Sequence, residues 1–259
     1  MPMKFRLFVV FAFCLIPIFA NAQERATIDV NYIGGGFNST FSYPHGMSMR
    51  SGKKYNTDGI DVAAKVRVTD VVMVGYRYQH EVLRNAESFD RSVTNGVTNS
   101  CVKPDLGHNG GAVGYQEFFG SFALPKTHGH ALVVGVAHAT LDRKFRWDTS
   151  IGVITSEYSD SYVGVVIGGE GKQKLGTVTF DYSARAYPHL NRTIGNGSGE
   201  RSSSGYELRG TATWSVAKHV GLTGGYEVRR ISTKIPDPDW PINENQTDKK
   251  FIVGLRLSF

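Results

Sequence analysis

The amino-acid sequence predicts an all-β chain whose strands close into a transmembrane antiparallel up-and-down barrel. Three observations carry this expectation. The chain opens on a secretory leader, it contains no apolar run long enough for a membrane helix, and period-two alternation recurs from end to end.

In the leader, Lys4 and Arg6 form a positive n-region and Leu7 to Phe19 an apolar h-region. Ala20-Asn21-Ala22 supplies a small-x-small cleavage pattern, so 1–22 reads as a signal peptide and 23–259 as one barrel domain. Processing leaves 27 basic against 23 acidic residues, a net of +4 spread along the chain, which gives no reason to expect nucleic acid. Cys101 would be the single remaining cysteine, a solitary loop thiol with no intramolecular disulfide. The longest apolar stretch of the mature part is the seven residues Ala131 to Ala137. A membrane helix needs about 18, so a membrane destination requires a closed sheet.

Alternation is cleanest toward the C-terminus. In 248–259, Phe251, Val253, Leu255, Leu257 and Phe259 share one face, opposite Lys250, Gly254, Arg256 and Ser258. Segments 174–187, 205–216 and 220–234 follow the same rule, as do 60–68 and 72–81. Segments 27–42, 110–124, 129–142 and 157–169 are looser, and Gly34-Gly35-Gly36 suggests a bulge that switches faces. Ten strands result, with eight as the alternative. Tight links at Thr69-Asp70, Pro125 to His128, Glu170 to Gln173 and Ala217 to His219 alternate with long polar ones at 43–56, 85–109, 143–156, 188–204 and 235–247. That asymmetry is the pattern of short periplasmic turns and long extracellular loops.

Charge decides which face meets lipid. A charge on the lipid face costs about 2–4 kcal/mol near the midplane, so the Val/Leu/Tyr/Phe face points outward. Asp29, Asp61, Lys65, Arg67, Arg77, Glu81, Asp181, Arg185, Glu207, Arg209, Glu227, Arg229 and Arg256 then form a luminal ion network, joined by Glu117 and Asp142. Acids and bases nearly balance, and a barrel this narrow brings opposite walls within reach of forked arginines. A salt-bridged, narrow or closed lumen is expected.

The ending Lys250-Phe-Ile-Val-Gly-Leu-Arg-Leu-Ser-Phe259 resembles the C-terminal assembly signal of Gram-negative outer-membrane barrels, carried here by Phe251, Val253, Leu255, Leu257 and Phe259. With Trp214 to Tyr226 before it, the last 55 or so residues resemble the opacity-type and outer-membrane-protein-A-type small barrels. The resemblance implies the outer membrane as destination. It also implies the barrel-assembly machinery, outer-membrane lipid and lipopolysaccharide as partners, and a structural or adhesive role through extracellular loops.

Arg50, Lys53 and Lys54 in the first loop are placed to meet lipopolysaccharide phosphates or a host or cell-surface ligand. Trp240, among the prolines of 235–247, is a contact site or part of the aromatic girdle. No cofactor or metal site is expected: Gly168 to Gln173 fails as a phosphate loop and the histidines are scattered. The expected role is non-enzymatic, with a small pore or a rim-sited hydrolase (an omptin-like protease or a lipid A deacylase) as alternatives. For a hydrolase, Glu81, His138, Asp142 and Asp160 are the rim candidates, with His138 and Asp142 facing inward and His138-Ala-Thr140 a loose echo of His-x-Ser. Deleting Phe259 should lower outer-membrane levels and raise periplasmic degradation, read by fractionation and immunoblotting; normal insertion of the truncated chain would count against the assembly signal.

Overall fold

A computed structural model describes residues 26–43, 49–94, 97–104, 110–127, 129–149, 152–195, 200–235 and 242–259. The expected leader, His128 and Trp240 lie outside these residues. Eleven strands follow one another: β1 (Ala26–Tyr43), β2 (Met49–Arg67), β3 (Val72–Thr94), β4 (Val97–Pro104), β5 (Gly111–Ala123), β6 (His130–Thr149), β7 (Gly152–Leu175), β8 (Val178–Ile194), β9 (Glu200–Ala217), β10 (Val220–Ile235) and β11 (Ile242–Ser258). Strand β4 pairs only with the far end of β3, through Glu87↔Pro104 to Thr94↔Val97. The other ten form a closed antiparallel ring, with β1 pairing β11 on one side and β2 on the other. Closure is completed where Phe259 N donates to Ala26 O at 2.9 Å.

The termini and the short turns share one rim, the periplasmic rim of such barrels. One expected turn moves. Glu170 to Gln173 belongs to β7, and the reversal falls at Gly176-Thr177, where Gly176 takes φ +62°, a conformation glycine adopts without steric penalty. The opposite ends depart further from the expected loops. A spanning strand needs about 9–11 residues, yet β6 has 20 and β7 has 24, so the sheet continues well beyond the bilayer. Residues 87–94 and 97–104 pair antiparallel, which places Cys101 in β4 opposite Asp90.

An apolar belt rings the outside, including Val30, Tyr32, Phe118, Val136, Val163, Leu208, Trp214, Tyr226, Phe251, Val253 and Leu255. The buried charges are inside. The glycine run does not switch faces: β1 keeps its register with both neighbours, with Asn31, Ile33 and Phe37 all buried. Gly35 is needed because a Cβ there would lie 1.9 Å from Lys249 O, and Gly34 lies under the Phe251 ring. Two further expectations are corrected. His138 and Asp142 face outward, because Ala137, Leu141 and Arg143 occupy the luminal parity of β6. Arg67 is exposed at the periplasmic mouth, since the chain is already turning there.

Leu255→Arg, which puts a charge into hydrocarbon, should destabilise folding by about 2–4 kcal/mol. Thr179→Arg, at a buried luminal site in the same half of the barrel, should be milder. Folding into lipid vesicles, followed by heat-modifiable gel mobility, compares the two; the reverse order would invert the faces.

Candidate functional site: the cross-linked lumen

The lumen is filled in layers. At the periplasmic mouth, Arg256 donates to Asp29 (2.6 and 3.0 Å) and to Asp181, and Lys65 reaches Glu170 at 2.7 Å. Ser121 and Arg185 also donate to Glu170. A cavity of about 300 Å³ opens here, lined in part by Lys65, Arg67, Glu170, Lys172 and Arg256.

Above it the charges close ranks. Arg77 on β3 donates to Asp61 (2.8 Å), to Glu207 (2.6 Å) and to Glu227. In a ring of ten, β3 and β9 stand five strands apart in either direction, so Arg77–Glu207 crosses the full diameter. Arg209 binds Asp61 and Glu227, and Arg229 binds Glu207 and Gln79, both at 2.6 Å, while lying 3.8 Å from the centre of the Tyr115 ring. Lys250 is wholly buried among Glu81, Asp248 and Gln79.

Higher still is a layer of apolar and tyrosine side chains: Phe37, Tyr55, Leu83, Tyr115, Leu141, Tyr162, Tyr187, Leu190 and Ile231. Tyr115 donates to Glu117 at 2.6 Å, which ties this layer to the ions below. On its extracellular side, Arg143 and Arg192 share Asp160 (2.6 and 2.8 Å) and both reach Glu244. Arg143 on β6 and Glu244 on β11 are again five strands apart, a second diametric bridge.

Asp61, Arg77, Glu81, Glu207, Arg209, Glu227 and Arg229 therefore meet in one central network, Arg185 reaches its edge through Glu117, and Asp29, Lys65, Asp181 and Arg256 lie in the mouth layer. Among the described residues, no ion pair joins Arg67 to either. Lys54 is exposed on β2, and Arg50 and Lys53 lie farther along that strand. Phe251, Val253 and Leu255 face lipid. The rim candidates are not brought together: Glu81 and Asp160 are buried and paired inside, whereas His138 and Asp142 are outside. Glu170, Arg143, Arg192, Glu244 and Asp248 are network members that the sequence reading assigned to turns or loops, or left unassigned.

No family model and no curated relative matches the sequence. Solved structures do. The outer membrane protease OmpT from Escherichia coli superposes with a TM-score of 0.63 over 91% of this chain and 97% of that one, at 11% identity. The fold is that of an outer-membrane β-barrel. The β domain of the Bordetella autotransporter BrkA covers 91% of this chain and 100% of its own at TM-score 0.41 and 12% identity. OprG from Pseudomonas aeruginosa covers 89% and 96% at TM-score 0.30 and 9% identity. These matches give no specific support to the opacity-type or outer-membrane-protein-A-type resemblance.

Arg77→Ala would take one of their cations from buried carboxylates on three strands and break the diametric bridge, and should destabilise the barrel by about 3–5 kcal/mol. Arg84→Ala, which breaks the exposed pair with Asp58, should cost no more than about 1 kcal/mol. Urea unfolding of the two variants in vesicles checks the contrast.

Proposed function

We propose that this outer-membrane barrel is non-conducting and acts through its outer wall and extracellular extensions rather than through its lumen. The observation that supports this reading is the diametric Arg77–Glu207 bridge inside a shell of fully buried partners. Ion passage would require parting several charge-assisted hydrogen bonds at once, each stronger in low dielectric than in water. A tyrosine layer and a second diametric bridge, Arg143–Glu244, stand in series with the first. The void beside the tyrosine layer is only about 20 Å³, room for a single water.

The long extensions then become the working surface. Lys54, with Arg50 and Lys53 along the same strand, offers fixed cations to lipopolysaccharide phosphates or to an anionic host polymer. A structural or adhesive role through these ends is the form this reading takes.

Purified, refolded protein in planar bilayers should give no steady unitary conductance. Replacing Arg77, Glu207 and Glu227 together by alanine should produce a leak, provided gel mobility shows the variant folded. Reproducible channels from the unmodified protein would overturn the proposal.

A further inference from the structure

On the outer wall, β8 and β9 carry a hydrogen-bonded chain of three polar side chains. Ser202 Oγ lies 3.1 Å from His189 Nδ1, and His189 Nε2 lies 2.8 Å from Asn191 Oδ1. All three residues are exposed. With Asn191 Oδ1 accepting from Nε2–H, the neutral ring presents its Nδ1 lone pair to the Ser202 hydroxyl, as a general base does toward a nucleophile.

A local irregularity builds this arrangement. The β8–β9 register runs Tyr187↔Gly205 and then Leu190↔Ser203, so Pro188 and His189 together oppose Ser204. Tyr187 and Leu190 are both buried in the lumen. Strict alternation from Tyr187 would turn His189 inward; the extra residue turns it outward, onto the face of Asn191 and Ser202. Bulges re-aim side chains in this way, and Pro188 has no N–H to lose from the ladder.

Position narrows the substrate. Asn191 pairs across β7 with Val163, an exposed member of the apolar belt, so the chain of three borders that belt on its extracellular side. Ester linkages of membrane lipids lie at this depth, where hydrocarbon gives way to headgroups. The three residues are exposed on the outer wall beside the apolar belt, so a reacting group would arrive laterally, within the bilayer. On β10, beyond β9, Arg230 and Lys234 are exposed, offering charge to a phosphate.

We propose that Ser202, His189 and Asn191 form an esterase site for phosphate-bearing acyl lipids of the outer leaflet. Ser202 Oγ attacks the ester carbonyl while its proton passes to His189 Nδ1. The tetrahedral oxyanion collapses, the C–O bond to the alcohol breaks, and His189 protonates the departing alkoxide. Water then attacks the acyl-serine, gives a proton to His189, and releases the fatty acid as Ser202 Oγ takes that proton back. The products are one fatty acid and one lyso-lipid per water consumed. Asn191 is a positioning residue, holding the ring in the tautomer that accepts from serine.

The test uses full-length protein refolded in two preparations, phosphatidylglycerol vesicles and lipopolysaccharide, with released fatty acid measured by mass spectrometry. Release from either supports the site, and the preparation that reacts tells a glycerophospholipid from an acylated sugar phosphate. Ser202→Ala and His189→Ala should each lower release by about 10²- to 10⁴-fold, while His80→Ala, at an exposed histidine on β3, leaves it unchanged. Asn191→Ala should lower kcat and alter its pH profile, with Asn191→Asp restoring activity. A fluorophosphonate should add to Ser202, located by peptide mass, and fail to add when His189 is alanine. Folded protein that releases no fatty acid from either preparation and takes no adduct at Ser202 overturns the proposal, as does release that survives Ser202→Ala. Lumen conductance is read separately, so failure here leaves the closed-lumen reading standing and the reverse also holds.

Discussion

Arg77 bridges the width of the barrel, and the rest of the interior is arranged around that contact. An arginine and a glutamate extending from opposite walls can meet across ten strands, and the guanidinium fork then has further donors to spare. Burying such a group is expensive unless each donor finds a partner, and Arg77 meets three carboxylates from three strands. Those carboxylates are in turn shared with Arg209, Arg229 and Lys250, so removing any one charge shifts the balance of several others. The lipid outside gives the apolar wall residues little reason to turn inward. What fills the lumen is set by reach and by charge matching.

This division explains which strands could be read. In 205–216, 220–234 and 248–259, one face meets hydrocarbon and the other mostly charge or hydroxyl, so alternation is sharp. In β1, β5, β6 and β7, Ile33, Phe37, Val113, Tyr115, Val133, Leu141 and Val166 face inward while apolar neighbours face lipid. Both parities are apolar there, and the pattern blurs. The same ambiguity led His138 and Asp142 to be assigned to the lumen.

Length was hidden for a different reason. Above the bilayer the outer face no longer needs to be apolar, so the contrast that marks a strand disappears while the hydrogen-bonded ladder continues. Arg143, Arg192 and Glu244 sit in such stretches, and their network is invisible to a search for alternation. Glu170 was misplaced because Gly168-Gly-Glu-Gly171 has the composition of a turn. Gly168 instead serves close approach: a Cβ there would lie 2.2 Å from Ala184 O.

A strand in a membrane barrel has two environments and no third, so one extra residue exchanges what lipid and lumen each receive. Tyr187 and Leu190 are three apart and both face inward, which alternation forbids without an insertion between them. The cost of that insertion falls on a proline, which contributes no donor to the ladder. Its effect falls on His189, which moves from the packed apolar and tyrosine layer of the lumen to the outer wall. In the lumen an imidazole would have to fit among tightly packed apolar and tyrosine side chains. Outside, its neighbours are Ser202 and Asn191, one able to give a proton and the other to hold the ring that takes it.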